Sequence, residues 1–217
     1  MKRIYLFAGH YGSGKTNIAV NFALKLHADG MAVKIADLDI VNPYFRTKDS
    51  AEELAAAGIE LISPAFANSN VDLPALPQEV YSLVQNRNIC AIMDIGGDER
   101  GALALGRYRS YILEENNYEM VFVTNFYRPL TATAEQALEV MREIEAAAGI
   151  AFTAIVNNSN LGAETTPEDI RATEAQLEKL CELSGLPLLF TSVKADLAGC
   201  FEGESVLALK LQKKLID

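Results

Sequence analysis

The chain has 217 residues, half of them apolar, enough for one large domain with a sizeable core. Its formal net charge of −10 argues against a protein built chiefly to grip a nucleic-acid backbone, which needs a basic footprint. No apolar run reaches the roughly 18 residues of a membrane helix.

Strand-like apolar runs fall at 4–8, 32–38, 59–63, 89–95, 119–124, 151–157 and 187–191. Several are continuous, as in Ile89-Cys90-Ala91-Ile92-Met93, the pattern of a parallel strand buried on both faces. Helical patterns separate them, at 15–28, 48–57, 74–86, 100–116, 131–148, 167–184 and 204–215. Pro74 and Pro167 stand where helices begin. Gly30, Gly58, Gly149 and Gly185 stand where helices end. The alternation predicts a single α/β domain over residues 1–217, a doubly wound, mainly parallel seven-stranded sheet with helices on both faces. The 204–215 segment mixes leucines with lysines, and packing on the sheet is its simplest reading; membrane docking needs more apolar area and basic charge.

The opening residues run straight into the first strand with no signal-peptide pattern. Cys90, Cys181 and Cys200 show no metal-ligand spacing, so a cytoplasmic, thiol-reduced protein is expected, with Cys90 in the core.

Residues 9–16, Gly9-His10-Tyr11-Gly12-Ser13-Gly14-Lys15-Thr16, fill every fixed position of G-x-x-x-x-G-K-S/T, between an apolar strand and a helix. In such a loop the glycines bring backbone N–H groups close to phosphate oxygens, and the helix N-terminus adds partial positive charge. Gly9, His10, Gly12, Ser13, Gly14, Lys15, Thr16 and Asn17 are therefore the candidate nucleotide-binding residues. Lys15 reaches the β- and γ-phosphates, and Thr16 offers a hydroxyl to Mg²⁺.

The other unusual residues also follow strands, at the edge where ligands bind in such sheets. Asp94, ahead of Gly96 and Gly97, is placed to hold the metal near Thr16 through a bound water. Asp37 and Asp39 share one face if their strand extends that far, and Asp39 is the candidate for orienting an attacking water. Asn157 or Asn158 could meet a base edge with an amide, and the absence of N-K-x-D favours ATP over GTP. Arg46, Arg100 and Arg128 also follow strand ends; each is either an ordinary surface salt-bridge residue or an alternative source of positive charge at the site.

The glycine loop, Asp37-Leu38-Asp39 and Asp94-Ile95-Gly96-Gly97 together resemble the MinD/ParA family of dimerising ATPases, related to the nitrogenase iron protein. The resemblance implies an ATP/ADP and Mg²⁺ cycle, a nucleotide-dependent homodimer and a protein partner not identified by sequence. It implies that Lys15 grips phosphate, Thr16 and Asp94 serve the metal, Asp39 positions water, and the strand-end asparagine meets adenine. One position departs from it. His10 stands where the family usually has a second lysine that reaches the partner's nucleotide. Either His10 partly substitutes or it merely spaces the loop. Two alternatives share the loop: a small-molecule kinase or ATP-dependent ligase of the dethiobiotin-synthetase type, with Asp98, Glu99 and Tyr127 lining an acceptor pocket, and a metal-delivery ATPase.

Overall fold

The computed structural model describes residues 1–39, 50–63, 79–97 and 99–210, the side chains of Glu99 and Arg100 excepted. The Asn42–Arg46 stretch, the Pro74 helix entry and Asp98 lie outside the described residues.

Strand β1 (Ile4–Ala8) leads through the glycine loop into helix α1 (Lys15–Ala28) and on to β2 (Val33–Leu38). Next come α2 (Ala51–Ala56), β3 (Glu60–Ile62), α3 (Val80–Gln85) and β4 (Cys90–Ile95). Helices α4 (Glu99–Leu105) and α5 (Arg109–Glu115) precede β5 (Tyr118–Thr124), and α6 (Ala134–Ala148) precedes β6 (Ala154–Asn157). Helices α7 (Pro167–Arg171) and α8 (Glu174–Ser184) lead to β7 (Leu188–Lys194) and β8 (Val206–Leu209).

All seven strand pairings are parallel, in the order β3-β2-β4-β1-β5-β6-β7-β8. The expected doubly wound architecture is present, with eight strands rather than seven. The added strand takes 206–209 of the segment where a helix is expected at 204–215; residues 211–215 lie outside the described residues. Leu207 and Leu209 are buried while Ala208 is exposed, the two-residue alternation of a sheet edge. Asn21 of α1 secures this edge: its amide donates to the Lys210 carbonyl (3.1 Å) and accepts from the Lys210 N–H (2.9 Å). Two expected helices are each divided. Gly106-Arg107-Tyr108 separates α4 from α5, and Ala172-Thr173 separates α7 from α8. Helix α7 opens on the expected Pro167, after a Thr166–Asp169 capping box.

The central strands are buried on both faces because helices cover both. Ile4, Leu6, Met93, Met120 and Phe122 pack against α3 through α6 and α8. Tyr5, Phe7, Ile92, Val121 and Val123 pack against α1 and α2. Phe22 of α1 sits at the centre of the second layer, 4.8 Å from the Tyr5 ring, 5.4 Å from Phe7 and 5.8 Å from Phe190. Aromatic packing of this kind adds to area burial and fixes α1 over β1, and so fixes the loop between them. At the opposite end of β1, Arg3 is buried in an ion pair with Glu115 and donates to the carbonyls of Leu83, Asn86 and Val84. That cluster ties β1, α3 and α5 together on the side away from the loop.

Cys90 is buried, as its apolar run predicts, and burial pushes its thiol up to about 11. The unfolded chain gives up that proton more readily, so this contribution to stability is complete below about pH 9 and is lost as pH rises through 11. At pH 8 an alkylating reagent should label the exposed Cys200 in the native protein and reach Cys90 only in denaturant. Equal native labelling of the two, resolved by peptide mass, would contradict this placement.

Candidate functional site

The loop between β1 and α1 is held from outside. Gly9 lies so close to β5 that a methyl group on it would stand 2.2 Å from the Val123 carbonyl oxygen. Gly14 occupies the helix N-cap position at φ 87°, in the left-handed region, and a methyl there would meet the Asn158 amide nitrogen at 2.1 Å. Both positions require glycine for space, and the second also for conformation.

Four successive carbonyls of this loop each accept a hydrogen bond. The His10 carbonyl takes the Ser13 N–H (3.1 Å) and the Lys15 Nζ (3.3 Å). The Tyr11 carbonyl takes His10 Nδ1–H (2.9 Å). The Gly12 carbonyl takes Arg128 Nε–H (3.1 Å), and the Ser13 carbonyl takes the Asn158 amide (2.6 Å). With the acceptors engaged, the loop's chemistry toward a ligand is that of its N–H donors. No side chain caps α1 at its N-terminus, and its first turn has no acidic residue. An anion suits such a helix end.

Three aspartates, Asp37, Asp39 and Asp94, gather beside this loop. Thr16 Oγ1 donates to Asp94 Oδ2 at 2.6 Å, joining α1 to the end of β4. Asp37 and Asp94 are register partners on neighbouring strands, and both are buried. Strand β2 ends at Leu38, short of Asp39, so the two aspartates do not share a strand face. Instead the Asp37 carboxylate accepts the Asp39 N–H (2.9 Å) and turns the chain. The Asp39 carboxylate lies against Gly96, 3.3 Å from where a methyl on that glycine would stand. A methyl on Gly97 would stand 2.8 Å from the Tyr11 nitrogen and 2.9 Å from Lys15 Nζ. Lys15, Thr16, Asp39 and Asp94 thus meet where β1, β2 and β4 end. The Thr16 hydroxyl and Asp94 carboxylate form a hard-oxygen pair of the kind Mg²⁺ takes, directly or through water.

The asparagines serve the interior. Asn157 is buried, donates to Thr173 Oγ1 (3.2 Å) and accepts the Ser159 N–H (3.1 Å). Asn158 bridges β6 to the loop, and its other end accepts from the Ser192 hydroxyl of β7. Of the two asparagines expected at a base edge, Asn158 also supports the glycine loop, a role that amide composition alone does not reveal. Asn17 accepts from the Asn21 amide through both its carbonyl (2.9 Å) and its side-chain oxygen (3.1 Å). The Tyr127 hydroxyl, considered above for an acceptor pocket, donates to the Asp169 carbonyl (2.8 Å). Among the described residues no group of three or more His, Cys, Asp and Glu could hold a metal ion, and no helix is long and apolar enough to cross a membrane.

This architecture is similar to that of several solved structures. FtsY from Mycoplasma mycoides aligns with a TM-score of 0.62 and 18% identity over 89% of this chain and 60% of that one. The cell division protein FtsY from Thermotoga maritima aligns at 0.57, again 18% identical, over 89% of this chain and 62% of that one. The signal recognition particle 54 kDa protein from Aeropyrum pernix, in complex with GDP, aligns at 0.55 with 17% identity over 88% of this chain and 41% of that one. This chain therefore spans less than two thirds of the length of these neighbours. Neither a protein-family model nor a curated protein sequence matches it. The fold these neighbours share with this chain is a parallel sheet flanked by helices. These neighbours are named as FtsY and signal-recognition proteins rather than MinD/ParA members, so the likeness shows the fold and not the narrower resemblance.

Asn158→Asp tests the support from β6. The aspartate keeps the acceptor for Ser192 but cannot donate to the Ser13 carbonyl, so a loss of about 1–3 kcal/mol in urea unfolding is expected, at least matching that of Asn158→Ala. Parent-like stability of Asn158→Asp would show that this amide does not hold the loop.

Proposed function

We propose that the protein binds Mg-ATP and hydrolyses it slowly, acting as a switch whose nucleotide state governs self-association and engagement of a protein partner. The observation that supports this best is the meeting of Lys15, Thr16, Asp39 and Asp94 around a loop whose carbonyls are each engaged by a donor.

In this reading the N–H groups of Gly12, Gly14, Lys15 and Thr16 surround the phosphate chain, and Lys15 moves its ammonium from the His10 carbonyl to the β- and γ-phosphate oxygens. Thr16 and Asp94 hold Mg²⁺, which when bound neutralises charge on the phosphates. Asp39, tethered through Asp37, orients a water toward the terminal phosphate. Gly96 and Gly97 lie between Asp39 and Lys15, so a ligand that draws Lys15 inward also alters their packing. That links phosphate occupancy to the surface after β4, where a second copy or a partner would sense it.

Some solved neighbours carry GDP, yet adenine suits this chain better. A guanine edge presents adjacent N–H donors that call for a carboxylate, whereas β6 ends in Asn157-Asn158-Ser159-Asn160. Each amide keeps one N–H and one lone pair beyond its interior bonds, which is the capacity available to a base.

Calorimetry with Mg-ATP and Mg-GTP, together with light-scattering mass, tests the proposal. Tighter binding of ATP than GTP, a doubled mass with ATP, and roughly a 10²-fold loss of turnover in Lys15→Ala are expected. Absence of heat with both nucleotides at millimolar concentration would overturn nucleotide binding. Constant mass with intact turnover would overturn the switch. An ADP burst dependent on an added metabolite would favour the kinase or ligase alternative.

A further inference from the structure

We propose that Arg128 contacts the nucleotide, its guanidinium acting as a second cation on the phosphate chain beside Lys15. This rests on the nucleotide-binding reading above and assigns a role to a residue outside the glycine loop.

Arg128 is exposed, and its Nε–H donates to the Gly12 carbonyl in the middle of the loop. Some exposed basic residues in this acidic chain take carboxylate partners, while Arg128, like Arg142, takes none among the described residues. Lys25 pairs with Asp29, Arg171 with Glu204 and Lys179 with Glu135. With Nε engaged, the two terminal nitrogens keep their N–H groups, and a guanidinium fork matches phosphate oxygens well.

The backbone beneath Arg128 is fixed. The carbonyl of buried Asn125 accepts from the Arg128 N–H (3.0 Å) and from Thr131 Oγ1 (2.7 Å). Its side-chain oxygen accepts from the Tyr127 N–H (3.0 Å), while the Phe126 N–H donates to Ser159 Oγ (3.0 Å). Pro129 follows and holds Arg128 in extended geometry, at φ −102° and ψ 139°. Arg128 lies alongside the loop: a methyl on Gly12 would be in ordinary contact with its Nε (3.7 Å) and Cδ (3.9 Å). A braced turn and a guanidinium anchored on the Gly12 carbonyl form a built arrangement next to the loop.

The test measures Mg-ATP, Mg-ADP and AMP binding by calorimetry for the parent, Arg128→Ala, Arg128→Lys and Arg142→Ala. Arg142 is exposed on α6 and removes the same charge away from the loop. Arg128→Ala should weaken ATP about tenfold or more, ADP less and AMP scarcely, with Arg128→Lys in between and Arg142→Ala close to the parent. Should Arg128→Ala fail to fold, Arg128→Gln, which keeps the side chain's reach, has the same expected pattern. Unchanged ATP affinity in the Arg128 variants, or an equal loss for all three nucleotides, would overturn the proposal while leaving the nucleotide reading intact. A parent that binds none of them would overturn both.

Discussion

The structure depends on which way the peptide groups of one eight-residue loop face. A loop rich in glycine has no intrinsic reason to present donors rather than acceptors. Here the carbonyls of His10, Tyr11, Gly12 and Ser13 are each engaged by a donor, from the loop itself, from β5 through Arg128 and from β6 through Asn158. The polarity of the loop is thus decided before any ligand arrives. A cradle ordered in advance spares the ligand part of the entropy of arranging it.

The rest of the fold places that loop. Strand β1 lies between β4 and β5, so chain ends from both directions reach the loop between β1 and α1. From one side come Asp94, Gly96 and Gly97, and beyond them Asp39. From the other come Arg128, Asn158 and, behind it, Ser192. The acidic side offers groups for metal and water, and the amide-rich side offers support. Phe22, packed among Tyr5, Phe7 and Phe190, prevents α1 from shifting along the sheet and carrying the loop away from either side.

Much of this was legible in the sequence because it is local. The glycine loop declares itself by fixed spacing, and the continuous apolar runs around Leu6 and Ile92 announce strands covered on both faces. What was not legible depends on neighbours distant in sequence. The leucines of the last described segment fit either a helix or a strand, and β7 with the Asn21 clamp decides for the strand. Adjacent asparagines at 157 and 158 look equivalent in the chain, yet only Asn158 reaches the loop. Arg128 reads as an ordinary surface arginine until the fold brings it to Gly12. Asp37 and Asp39 read as a matched pair, but the early end of β2 makes one the anchor of the other.

A loop whose carbonyls are already engaged and whose N–H groups face the ligand is the central claim, and backbone amide chemical shifts on titration with a non-hydrolysable Mg-ATP analogue report on it directly. The account predicts that the largest saturable shifts fall on the N–H groups of residues 12–17, with smaller ones at Gly96 and Gly97. Saturable shifts elsewhere, with those amides unmoved, would contradict it.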